Sequence, residues 1–129
     1  MSDLYKFRGW DATGQKGWVY GDLTHGKKVL KEEPYLADRV MIGGYEVVPE
    51  SVGLYSGLLD CKDNEIYDGD VILWSKDGKK YVVTFRSGMF YASVEEFNKG
   101  VYGGFPLWVL CIEEQNCEII GNMFDNNER

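Results

Sequence analysis

Asp60, Asp63, Glu65, Asp68 and Asp70 crowd one stretch of the chain. Carboxylates at that density could hold Ca²⁺ or Mg²⁺, or carry two-metal phosphoryl chemistry. An EF-hand loop begun at Asp60 fails at its third position, which is Lys62, and has no central glycine. The residues therefore read first as a solvated turn leading into a strand. A metal-dependent enzyme using the Asp60–Asp70 carboxylates is the remaining chemical alternative.

Other chemistry has less to draw on. The single histidine, His25, stands in a THGKK segment, where an exposed turn histidine is a simpler reading than a catalytic base. The pairs Gly43–Gly44 and Gly103–Gly104 lack both a following Lys-Ser/Thr and the G-x-G-x-x-G spacing that cradles phosphate. No H-E-x-x-H or C-x-x-C motif occurs. Cys61, Cys111 and Cys117 form an odd set, awkward for a secreted disulfide framework and in keeping with a reducing cytoplasm. Cys111 and Cys117 adjoin strand-like sequence and are expected to pack as small hydrophobes. No catalytic residue, metal ligand or cofactor is expected.

Trp10, Trp18, Trp74, Trp108, Tyr55 and Tyr91 could stack bases or sugars, but in a small β protein such rings mostly fill the core. Lys27–Lys28 and Lys79–Lys80 are isolated basic pairs, and the formal charge is 14 − 21 = −7. Phosphate binding is driven largely by Lys and Arg, so nucleic acid is a disfavoured partner.

The elements that must position these residues are mainly strands. A chain of 129 residues fits one domain, here taken as 1–129. It carries 16 glycines, well above the usual ~7%, with only 3 prolines and 15% aromatics, a composition suited to strands joined by tight turns. Alternation marks a hairpin of Lys6–Trp10 and Trp18–Leu23 around a turn-rich loop. Thr24–Lys28 reads as a turn around Gly26, followed by a short stretch over Val29–Lys31. Residues 34–44 fit either a short helix after Pro34 or a pair of strands. Tyr45–Val48 stops at Pro49, and Ser51–Tyr55 is a strand with a glycine in it. Val71–Trp74 and Lys80–Arg86 form a hairpin across Asp77–Gly78, with Met89–Ala92 pairing next. Ser93 and Glu96 have capping-box spacing, with Gly100 as a stop, which predicts one short helix. Leu107–Ile112 and Cys117–Phe124 read as strands, and Asp125–Arg129 as a polar tail. No apolar run has the length of a signal peptide or a membrane span.

Three blocks resemble the YopX family of phage and prophage proteins. The first is KFRGWD (Lys6–Asp11), continuing to WVYGD (Trp18–Asp22). The second and most specific is VGLYSGL (Val52–Leu58), through Asp60 to EIYDGDV (Glu65–Val71). The third is EIIGN (Glu118–Asn122). One departure is CKDN (Cys61–Asn64), which fills a loop that in the family tends to be lysine-rich with an Asn-Gly turn.

The resemblance implies a mainly β, small barrel-like (SH3-like) fold of antiparallel sheets with at most one or two short helices. It marks Gly57, Asp60, Ile66, Tyr67, Gly69, Asp70, Gly121 and Asn122 as motif residues in a structural role, and assigns no catalytic residue. Read physically, Gly69 can take positive φ and Asp70 can accept from turn amides. Ile66 and Val71 would enter the core, and Tyr67 would pack its ring and bond its hydroxyl. The expected function is that of a non-enzymatic phage or prophage accessory protein in the bacterial host cytoplasm. It would act through contacts with itself, as a homo-oligomer, and with a phage or host protein. The alternatives are a nucleic-acid-binding small-barrel module and, third, the metal-dependent enzyme.

Overall fold

A computed structural model describes residues 6–94, 104–112 and 116–124. The chain divides into two compact units, Met1–Leu54 and Tyr55–Arg129. Among the described residues every strand pairing is antiparallel.

In the first unit, β1 (Phe7–Trp10) pairs with β2 (Trp18–Gly21), matching Trp10 to Trp18. The Asp11 carboxylate shapes the loop between them. It accepts the Thr13 hydroxyl at 2.8 Å and the amides of Lys16 at 3.0 Å and Thr13 at 3.2 Å. β3 (Leu23–Val29) and β4 (Leu36–Ile42) pair along their full length, and β5 (Tyr45–Val47) follows. Among the described residues the order β3-β4-β5 leaves one edge of β3 unpaired.

Within residues 34–44 the chain forms one strand, Leu36–Ile42, rather than a helix or a pair of strands, and Gly43 and Gly44, with φ of 58° and 90°, supply the tight hairpin turn that joins β4 to β5. The turn expected around Gly26 is instead continuous strand: Gly26 sits opposite Arg39 in a seven-residue ladder, and that pairing overrides the local turn preference. The chain reverses later, where the Leu30 amide donates to the Tyr35 carbonyl at 2.7 Å. Ser51, expected in a strand, closes a 3₁₀ turn over Pro49–Ser51. Its hydroxyl donates to the Val48 carbonyl and accepts the Trp10 amide at 2.7 Å. Val19, Ile42 and Val47 form the core of this unit, with Phe7, Leu23, Val40 and Val52 against them.

β6 (Gly53–Leu59) begins by pairing Gly53 and Leu54 with β1. From Tyr55 onward it belongs to the second unit and pairs with β7 (Glu65–Tyr67), with a register irregularity between Tyr55 and Leu59. Gly57, at φ 85°, lies in that irregularity. The main sheet of this unit is built from β8 (Asp70–Trp74), β9 (Lys79–Arg86), β10 (Met89–Val94), β11 (Phe105–Pro106) and β12 (Cys117–Asn122). Its order is β11-β10-β9-β8-β12. The Asp77–Gly78 hairpin forms as expected, with Trp74 opposite Lys79 and Gly78 at φ 71°. Ile66, Ile72, Trp74, Tyr81, Val83, Ala92, Leu107, Leu110 and Cys117 make the core.

The run after Pro106 is a correction. Leu107–Cys111 is a short helix, α1, rather than a strand. Leu107 and Leu110 are buried while Trp108 is 55% exposed, a three-residue spacing that only a helix can present to one core. Val71 is also less buried than expected, and its neighbour Ile72 takes the core position. Ser93 continues β10 opposite Val82, so it does not cap a helix. Glu96, Gly100 and the tail Asp125–Arg129 lie outside the described residues. The sheets are open, and among the described residues none closes into a barrel.

Candidate functional site

The carboxylate run is where sequence chemistry concentrates, and its geometry can be built residue by residue. The Asp60 amide donates to the Asn64 carbonyl at 2.9 Å, and the Asp63 amide to the Asp60 carbonyl at 3.0 Å. These bonds close a tight loop, in which Asp63 takes the left-handed φ of 66° that a short polar side chain tolerates. The buried Asp60 side chain fills the loop. Its Oδ1 accepts the amides of Lys62 at 2.9 Å and Asn64 at 2.8 Å, and its Oδ2 accepts the Ile119 amide at 3.0 Å. The Cys61 amide donates to the Cys117 carbonyl at 2.8 Å, so the loop is docked on the start of β12. The Lys62 ammonium meets the Glu118 carboxylate at 2.8 Å on the exposed side of the same contact. Burial pushes the Asp60 carboxyl up, but the amides of Ile119, Asn64 and Lys62 together outweigh it and hold it below the ordinary carboxylate value.

A second turn follows. The buried Asp70 accepts the Tyr67 amide on Oδ2 at 2.8 Å, and the Tyr67 hydroxyl donates to Glu65 at 2.8 Å. Gly69, at φ 97°, makes the turn; its amide donates to the Val83 carbonyl at 2.8 Å and its carbonyl accepts the Met123 amide at 2.7 Å. Ile66 is fully buried, and the Tyr67 ring packs against Tyr55 at 5.4 Å. Gly121 and Asn122 lie opposite Val71 and Asp70 in the β12–β8 ladder, beside a bulge after Ile119. The structure thus brings Asp60, Ile66, Tyr67, Gly69, Asp70, Gly121 and Asn122 into one interlocked set of turns and strand ends.

That arrangement suits holding loops more than holding a cation. Asp60 and Asp70 aim lone pairs at backbone amides, and among the described residues no three His, Cys, Asp or Glu side chains form a group able to hold a metal ion. The other singled-out residues lie elsewhere. His25 is exposed on β3 opposite Val40. Trp10 and Trp18 meet edge to face at 5.4 Å, with the Arg8 guanidinium 4.6 Å from the Trp18 ring. Trp74 is core, while Tyr91 carries Arg86 over its ring at 4.5 Å. Lys27 and Lys28 are held by Asp38 and Glu46.

Two features escaped the sequence. Asp11 organises its loop much as Asp60 does, and the turn-rich composition of that segment only hinted at it. The three cysteines also line one cleft. A cleft of about 220 Å³ is lined by Leu59, Asp60, Cys61, Cys111, Ile112 and Cys117. No spacing motif announces this, because a helix end and an edge strand bring Cys111 and Cys117 together and the Asp60 loop adds Cys61.

Fold and site together define a mainly β, antiparallel-sheet protein whose densest polar motif braces turns. No curated protein matches the chain. The family model described as YopX protein matches residues 6–129, and the chain belongs to the YopX family.

Proposed function

We propose that this chain works without catalysis, through protein–protein contact, and that it assembles with a second copy of itself along the free edge of β3. The observation that carries this is a long edge strand ending in uncovered apolar side chains. Val29 is 83% exposed, and Leu36 and Tyr35, just across the turn, are 58% and 57% exposed. An edge strand offers a row of backbone groups ready to pair with another chain.

Self-pairing is chemically consistent. An antiparallel register centred on Gly26 sets Leu23 opposite Val29 of the second copy, Thr24 opposite Lys28, and His25 opposite Lys27. Apolar ends meet, and no lysine faces a lysine. Edge lysines normally discourage such pairing, but Lys27 and Lys28 are already neutralised by Asp38 and Glu46 within their own sheet. A two-fold interface of this kind is self-complementary, as closed homodimers require. The family resemblance supports placing this activity in a phage or prophage accessory role in the host cytoplasm, with a phage or host protein as the further partner. The small-barrel likeness belongs to the same reading, as a resemblance of the strand-and-turn motifs.

Light scattering across a concentration series tests it, using wild type and Val29→Glu. Wild type should reach a mass of about twice the 14.7 kDa chain, while Val29→Glu stays near one chain mass. A wild type that remains monomeric at the highest concentration overturns the assembly.

A further inference from the structure

The cleft beside the Asp60 loop holds a pair of thiols that the contact function does not use. Cys111 ends α1 and Cys117 begins β12, and their Sγ atoms stand 3.8 Å apart. Both line the cleft, Cys111 half-buried and Cys117 only 2% exposed. We propose that Cys111 and Cys117 form a reversible dithiol–disulfide site for low-molecular-weight disulfides, with Cys111 attacking and Cys117 resolving.

The geometry divides the roles. A small disulfide entering the cleft meets Cys111 as the more accessible sulfur of the pair, and the buried Cys117 stands beside it to attack the adduct. The sulfurs must close from 3.8 Å to the ~2.0 Å of a disulfide bond. Electrostatics point the same way. The Cys117 hydrogen bond lowers the Cys111 thiol below its ordinary value against the effect of burial, and the same bond together with burial pushes Cys117 up. Cys61 shares the cleft, but burial and the Asp60 and Glu118 carboxylates raise its thiol.

In the reaction, the Cys111 thiolate attacks one sulfur of the small disulfide, and the other half leaves as a thiolate. That thiolate takes the Cys117 proton. The Cys117 sulfur then attacks Cys111 Sγ, the bond from Cys111 to its adduct breaks, and the second half leaves and is protonated from solvent. Two protein thiols are oxidised to one disulfide, and one small disulfide is reduced to two thiols.

The full chain, treated with glutathione disulfide, then denatured, alkylated and mapped by mass spectrometry, tests the proposal. Before treatment all three cysteines should alkylate. Afterwards only Cys61 should do so, the unalkylated chain should be lighter by two hydrogens, and a 111–117 cross-linked peptide should appear and vanish with a thiol reductant. Cys61→Ser should retain the cross-link, and Cys117→Ser should stop at a mixed disulfide on Cys111. The wild-type map decides the matter even if a variant fails to fold. Three cysteines that all remain alkylatable, modification at Cys61 alone, or a cross-link that includes Cys61 would each overturn it.

Discussion

Asp60 is a carboxylate whose surroundings were written almost sixty residues away in the sequence. The amide of Ile119 is one of its three backbone donors, and only the fold brings it there. Replacing the acceptor with a donor in Asp60→Asn leaves buried amides poorly matched, so chemical denaturation should show a loss of about 1–3 kcal/mol. The pH dependence has a definite sign. Because folding lowers the Asp60 pKa from 3.8, its contribution is complete above the ordinary carboxylate range and is lost as pH falls through the lowered value. The gap between wild type and Asp60→Asn should therefore narrow below about pH 4. Gly69 makes a different demand, for a φ of 97° that side chains resist. Gly69→Ala should cost about 1 kcal/mol or more in a thermal or denaturant melt. Gly69 and Asp70 were legible in the sequence because their turn is local. The density of Asp60, Asp63 and Glu65 read first as a turn and left a cation as the alternative, since the sequence does not show the distant Ile119 amide that Asp60 accepts.

Strands and hairpins with local signals were readable, and elements fixed by distant partners were not. The Asp77–Gly78 and β1–β2 hairpins follow from turn residues flanked by alternating runs. β3 was hidden because Gly26 has turn chemistry and only the ladder with β4 overrides it. Leu107–Ile112 is apolar throughout, so strand and helix fit the run equally until the core selects Leu107 and Leu110. That selection can be measured. Leu110→Ala should destabilise by about 2–5 kcal/mol, the usual range for a buried leucine. Trp108→Ala, on the exposed face of the same helix, should shift stability by less than ~0.5 kcal/mol in the same assay. Equal losses at the two positions would contradict the helical assignment.

For the molecule as a whole, a mainly β class and YopX membership follow from composition and from blocks spread along residues 6–129. The barrel expected from the motifs gives way to open sheets, because strand order and closure depend on long-range pairing that a turn motif does not encode. Among the described residues no helix is long and apolar enough to cross a membrane. The charge of −7 argues against a phosphate backbone as partner, so binding to single- or double-stranded DNA or RNA should be absent even at low salt, where it would be strongest. Open sheets leave edges, and the proposed contact lies along the edge of β3. Amide hydrogen exchange over residues 23–29, followed from dilute to concentrated protein, tests that placement most directly. Protection of this segment should rise with concentration while that of β8 and β9 stays constant. Exchange in β3 that is the same at every concentration would contradict the account.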